Sequence, residues 1–159
     1  MYLYQKNVIT TMIKASYNEG YSKFEQFVQI ELIKEKFPHC RIQRSGETII
    51  VDFKISDPDL SSVYRVCIFF KSQREHKVFV ISPGITPSIA IHMYRDQSLC
   101  LYYPPDISPF RRLWIALDLI PLTVSWVFLY ERWLINGHIW EGAESPEHWW
   151  LMKKYEANQ

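Results

Sequence analysis

Cys100 is the residue on which chemistry is most readily built. It lies in His92-Met93-Tyr94-Arg95-Asp96-Gln97-Ser98-Leu99-Cys100-Leu101-Tyr102-Tyr103-Pro104-Pro105, a short apolar stretch preceded by polar, turn-prone residues and closed by two prolines. A nucleophilic thiol needs partial exposure and surroundings that favour the thiolate. His92, eight positions upstream, could reach the sulfur or order the loop, and Arg95, Arg111 and Arg112 are basic neighbours in sequence. Thiolate attack on an activated acyl group gives a thioester, which keeps the acyl carbon electrophilic. The competing reading is packing, because a free cysteine usually behaves as a small buried hydrophobe. The Pro-bounded loop context tips the balance toward the nucleophile.

The other candidate chemistries have less support. Cys67 falls among Val66, Ile68 and Phe69 in a strand-like run and reads as core. Cys40 follows Pro38-His39 at a helix-to-strand corner with no apparatus around it. His39, His76, His92, His138 and His148 show neither C-x2-C nor H-x3-H spacing with the cysteines or one another, so no metal site is expected. Neither G-x-S-x-G nor G-x-x-x-x-G-K occurs, and five glycines leave little for an anion-cradling loop. No cofactor is therefore expected. A net charge of +1 does not favour nucleic acid as a partner. Three cysteines without a secretory leader point to free thiols in a reducing cytoplasm. The apolar stretch Trp114–Tyr130 contains Asp118 and Pro121 and is bounded by charges, so it reads as a buried connection and core helix rather than a membrane span.

The elements that must position the cysteine follow from the periodicities. With 159 residues, 48% of them hydrophobic, the chain suits one domain with a substantial core, here taken as 1–159 with its core about 16–150. Ser16–Phe37 reads as a helix with Phe24, Phe27, Val28 and Leu32, joined by Ile30 and Ile33, as its apolar residues and Pro38 as its stop. Leu3–Ala15 is a helical or irregular extension. The period then changes. Arg41–Arg44 and Thr48–Ile55 flank the turn Ser45-Gly46-Glu47, and Val63–Phe70 and Lys77–Ile81 follow as third and fourth strands. Val63–Phe70 is apolar on both parities near its end and is expected to be central. Short loops favour an antiparallel meander with the helix on one face, an α+β domain. From Ile85 to Pro109 no regular structure is expected, and a long irregular connection in a compact domain is often functional. A second helix starts at Pro121, with Trp126, Leu129, Tyr130, Trp133 and Leu134 on its apolar face, and stops at Asn136-Gly137. Trp114 is expected to pin the long connection to the sheet. His138–Glu144 reads as irregular, and Glu147–Tyr155 as a final short helix. Trp140, Trp149 and Trp150 read as a satellite cluster or, with less weight, a partner surface.

This order of helix, four-strand meander, cysteine-bearing loop and helix resembles the ubiquitin-conjugating enzyme (UBC) fold. In that family a His-Pro-Asn triplet precedes a cysteine followed by leucine, and here His92 and Leu99-Cys100-Leu101 fit the outline. Ile81-Ser82-Pro83-Gly84 and Trp114 fit as well. Met93 and Tyr94 stand where the family has Pro and Asn, and the spacing from His to Cys is shorter. The family's Asn-assisted attack by lysine is therefore not carried over to this chain. The chain is more similar to bacterial UBC-like proteins of antiviral defence operons. Their segment H-x-Y…L-C-L-Y-x-P is followed by P-x-x-x-x-W-x-x-x-Y-E-x-W-x-x-x-G-x-W-x-G-x-E-x-x-x-H. Here the second part runs from Pro121 through Trp126, Tyr130-Glu131, Trp133, Gly137, Trp140, Gly142 and Glu144 to His148, so the likeness spans roughly residues 20–150.

The resemblance implies a conjugating partner of a cGAS-like nucleotidyltransferase (CD-NTase) in a CBASS system. It also implies a stand-alone short form, since the chain has no room for an adenylating, activating domain and no Gly-rich ATP motif. Cys100 would then take the C-terminal acyl group of the nucleotidyltransferase as a thioester and pass it to a target amine, priming antiviral signalling. Each step forms an oxyanion that needs donors. The backbone N–H groups near Leu101 and Tyr102, or His92, are the candidates, although His92 has an equally weighted role in bonding loop backbone. Asp96 and Asp106 are candidates for orienting the amine. Two alternatives remain open: a catalytically inactive UBC-like module that scaffolds the nucleotidyltransferase, and a thiol peptidase, for which no third orienting residue stands out.

Overall fold

The computed structural model describes residues 23–103 and 112–144. Helix α1 (Lys23–Lys36) leads into four strands, β1 (Arg41–Ser45), β2 (Thr48–Ile55), β3 (Tyr64–Phe70) and β4 (His76–Ser82). A 3-10 turn at Ile89–Ile91 follows, and a π-helical turn at Ile115–Leu119 runs directly into helix α2 (Ile120–Ile135). The expected extension Leu3–Ala15, the expected helix start at Ser16 and the expected helix Glu147–Tyr155 lie outside the described residues.

The strands form one antiparallel sheet in the order β1-β2-β3-β4. Gly46 at φ +59° turns the chain between the paired residues Ser45 and Thr48, a backbone conformation that glycine adopts without strain. β3 is central, as its two-sided apolar pattern predicts, and Tyr64, Val66, Cys67, Ile68 and Phe70 are all buried along it. Ile49, Val51 and Ile55 from β2, Val78 from β4 and Ile33 from α1 join Tyr64, Val66, Ile68 and Phe70 in one core.

The expected apolar face of α1 is buried only in part: Ile33 enters the core and Ile30 and Leu32 pack against it. Phe24 and Phe27 are 74% and 58% exposed, whereas Glu25, Gln26, Gln29 and Ile33 face inward. The inward amides serve neighbouring backbone. Gln29 donates from Nε2 to the Leu113 carbonyl and accepts from the Ile115 N–H, both at 3.0 Å. Gln26 donates to the Glu47 carbonyl at 2.9 Å and accepts from Arg44. Glu25 pairs with Arg112, whose guanidinium lies 5.6 Å from the Trp114 ring centroid. A buried backbone group without a partner is costly, so a helix facing an irregular segment gains more from amides than from phenylalanines. Trp114 accordingly joins the long connection to α1 through Arg112 and Glu25.

The buried face of α2 is also rotated from the expected one. Ile120, Thr123, Trp126, Val127 and Glu131 are buried, while Leu134 is exposed and Trp133 only half-buried. Pro121 sits in the first turn, where its missing N–H costs little. Glu131 ties the helix to the start of β3 by accepting from the Ser61 hydroxyl at 2.8 Å and the Tyr64 hydroxyl at 2.5 Å. Burial alone would raise the Glu131 carboxyl, but these hydrogen bonds outweigh it and hold the group below its ordinary value. Burial, then the bond to Glu131, pushes the Tyr64 phenol up, so the pair remains carboxylate and hydroxyl. No helix among the described residues is long and apolar enough to cross a membrane.

Candidate active site around Cys100

The segment around Cys100 is more regular than its composition suggests. Ser88 caps the 3-10 turn, its hydroxyl accepting from Ala90 N–H at 3.2 Å. His92 then adopts φ 55° and reverses the chain into a tight hairpin. Met93 pairs with Leu99, Tyr94 N–H donates to the Ser98 carbonyl at 2.8 Å, and Cys100 N–H donates to the His92 carbonyl at 2.7 Å. Gln97, at φ 69°, turns the tip. Ser98 pairs with Phe79 and Leu99 N–H donates to the Val78 carbonyl at 2.9 Å, so the hairpin docks on the free edge of β4. The irregular connection expected for Ile85–Pro109 is corrected for this stretch. An edge strand exposes unpaired N–H and C=O groups, and the hairpin satisfies several of them.

Asp96 orders the hairpin tip. Its Oδ1 accepts from the Ser98 N–H at 3.0 Å and the Ser98 hydroxyl at 2.5 Å, and Oδ2 pairs with Lys77 on β4. Lys77 first, then Ser98, holds the Asp96 carboxyl down at about 2. Lys77 thus joins the hairpin to the sheet at the mouth of the site.

Cys100 is half-buried and opens into a groove of about 310 Å3 bordered by His76, Lys77, Tyr94, Asp96, Leu101 and Tyr102. Its Sγ lies 3.9 Å from the Tyr102 carbonyl, a distance at which a thiol donates weakly. Cys40 and Cys67 do not border this groove. Burial pushes each of their thiols up to about 11, so both stay protonated near neutral pH. Asp106 and Arg111 lie outside the described residues.

His92 meets Cys100 through its carbonyl, while its ring packs against Trp140 with centroids 4.9 Å apart. The end of the described chain is built to present that indole. Asn136 caps α2, and Gly137 and His138 take left-handed conformations. The Asn136 side chain brackets Ile139 by donating to its carbonyl at 2.8 Å and accepting from its N–H at 3.0 Å. Glu141 forms a two-pronged ion pair with Arg132 at 3.0 Å per contact. A Cβ on Gly142 would fall 2.6 Å from Leu129 Cδ1 and 2.7 Å from Trp140 Nε1, so only glycine fits beside the indole without displacing it. Trp140 is thereby set against His92 and Trp126, while Trp149 and Trp150, its expected cluster partners, lie outside the described residues. Trp126 Nε1–H in turn donates to the Ile91 carbonyl at 2.8 Å, fixing the residue before His92.

Two features of the groove were not singled out from sequence. The Tyr102 hydroxyl donates to His76 Nε2 at 2.7 Å while His76 Nδ1 faces the Ser72 carbonyl at 3.3 Å. The two residues are 26 apart in sequence and nothing in their local context links them. The second is the placement of Tyr94, known from sequence only as standing where the family has Asn, whose parity with Cys100 about the apolar pair Met93 and Leu99 is visible once the segment is known to be a hairpin. His76 has a lowered pKa, chiefly through burial, which favours the neutral ring. A His depressed in the folded state contributes stability above its unfolded pKa of about 6.5 that is lost as pH falls from there toward the folded value. Urea unfolding at pH 7.5 and 5 is therefore expected to show a larger acid loss for the wild type than for His76→Gln. An equal loss in the two proteins would rule this contribution out.

The helix, meander, docked cysteine hairpin and second helix together define a UBC-like α+β fold. A family model described as Type II CBASS E2 protein matches residues 29–148, and the chain belongs to that family. It is thus a CBASS E2-like protein, whose family membership implies partnership within a CBASS system. The match runs from the middle of α1 through the sheet, the cysteine hairpin, α2 and the Trp140 segment. Among curated proteins no match was found.

Proposed function

We propose that the protein is a thioester-forming conjugating enzyme of a CBASS system. Cys100 accepts the C-terminal acyl group of a cGAS-like nucleotidyltransferase and transfers it to a target amine, priming antiviral signalling in the cytoplasm. The observation that carries this reading is the placement of Cys100. It lies on the outward face of a hairpin whose inward residues anchor in the core, and it opens into a groove of about 310 Å3. The acyl group arrives activated, as an acyl adenylate or a thioester. The thiolate attacks the acyl carbon, the leaving group departs with its electron pair, and the Cys100 thioester remains. The backbone at Leu101 and Tyr102 borders the acyl group. His92 holds the cysteine through its carbonyl, and the Trp140 clamp holds His92.

Incubation with the nucleotidyltransferase and its activating enzyme is expected to give an adduct that hydroxylamine or excess thiol cleaves. Cys100→Ala is expected to abolish it, a loss of more than about 1,000-fold when the nucleophile is removed. An adduct that persists unchanged in Cys100→Ala would instead make the protein a UBC-like module that scaffolds the nucleotidyltransferase without catalysis.

A further inference from the structure

The hairpin places a second functional side chain beside the thiol. Met93 and Leu99, only 3% and 7% exposed, face the core. Successive residues of a strand point to opposite faces, so Tyr94 and Cys100 share the outward one. The Tyr94–Ser98 and His92–Cys100 backbone bonds set the register and make Tyr94 and Cys100 diagonal neighbours across the hairpin. Diagonal neighbours lie about 7–8 Å apart at the backbone, within reach of an aromatic side chain. Both residues border the same groove, Tyr94 is 49% exposed, and its hydroxyl lies against the Cys100 thiol.

Several of the other polar groups near the thiol are already engaged. Cys100 N–H is given to the His92 carbonyl, and the Tyr102 hydroxyl is given to His76. Lys77 is paired with Asp96, and an ionised Asp96 can only accept. We propose that the Tyr94 hydroxyl donates the hydrogen bond that stabilises the oxyanion formed on the acyl carbon at Cys100. This rests on Cys100 being the acyl carrier. Burial, then contact with Cys100, raises the Tyr94 phenol, which therefore remains a donor at any working pH. In the transfer step the amine lone pair attacks the acyl carbon, and the carbonyl π pair moves onto oxygen, where the Tyr94 O–H donates without losing its proton. Collapse re-forms the carbonyl and expels sulfur as thiolate. The surplus proton on nitrogen passes to sulfur or water, leaving an amide and free Cys100.

The test uses a synthetic peptide whose C-terminal glycine is a benzyl thioester, which loads Cys100 by exchange without ATP. After removal of excess peptide, discharge of the loaded protein by hydroxylamine is followed by intact mass for wild type and Tyr94→Phe. Alkylation of the free thiol by iodoacetamide runs in parallel, because that displacement forms no oxyanion. Discharge by Tyr94→Phe is expected to slow about 100-fold with alkylation unchanged within about threefold, in line with loss of one oxyanion donor. Discharge at the wild-type rate overturns the assignment of Tyr94, and so does alkylation that slows as much as discharge, which would mean Tyr94 acts on the thiol alone. Failure of the wild type to load Cys100 would instead remove the acyl-carrier reading, and this inference with it.

Discussion

Replacing Trp126 by alanine is expected to destabilise the fold by about 3–5 kcal/mol, the range for truncating a large buried aromatic. The indole is buried, stacks on Tyr130 with centroids 5.2 Å apart at 8°, and packs toward Trp140. Its Nε1–H is the partner of the Ile91 carbonyl. Truncation therefore opens a cavity and also leaves a carbonyl in the core without this donor. For a domain whose whole stability is about 5–15 kcal/mol, this is a large fraction. Trp126→Phe separates the two contributions, because it keeps most of the packing and loses only the donor, and it should cost about 1–3 kcal/mol. Denaturant midpoints at unchanged slope measure both. Equal costs for Phe and Ala would show that the ring packing contributes little. Because Ile91 precedes His92, the alanine variant should also change the alkylation rate of Cys100.

Gln29→Leu is the second change with a large expected effect. Leucine has nearly the same volume and is the better match to an amphipathic helix, so a hydrophobic pattern would rank it as harmless or stabilising. The structure gives the opposite sign. Gln29 is fully buried and its amide supplies both a donor to Leu113 and an acceptor to Ile115. Leucine would leave two buried backbone groups without the amide at about 1–3 kcal/mol each, so a total of about 2–6 kcal/mol is expected. Hydrogen exchange of the Ile115 amide should accelerate more than that of β3 amides, because the break is local to the contact between α1 and the π-helical turn. A variant within about 0.5 kcal/mol of wild type would show that water or a rearranged backbone replaces the amide.

The same two residues mark where sequence reading works and where it stops. The four strands and their turns follow from β-branched alternation and Gly46, because side-chain alternation and turn geometry are local properties. β3 reads as central for the same reason, from its run of apolar residues, although Phe69 on the face away from the core is exposed. The end of α2 at Asn136-Gly137 is likewise local. The buried face of α1 is different. Phe24 and Phe27 form a plausible apolar stripe, yet the helix turns Gln26 and Gln29 inward because the segment it meets exposes carbonyl and N–H groups. No periodicity within the helix carries that information.

Cys100 stood out from sequence because its residue type and its Pro-bounded setting are both local, and the surrounding motif strengthened the case. The geometry that would let it react is not local. Leu99 meets Val78 on β4, Lys77 meets Asp96, and Trp140 meets His92, each contact made across chain that folds in between. The sequence by itself determined the α+β order and the central strand, since these rest on alternation, turn chemistry and composition within a few residues. Only the tertiary structure decided that the cysteine sits on a hairpin docked at a sheet edge, that Tyr94 shares its face, and that His92 is braced by Trp140. Backbone pairing to an edge strand and the packing of distant aromatic rings depend on which surfaces the fold brings together.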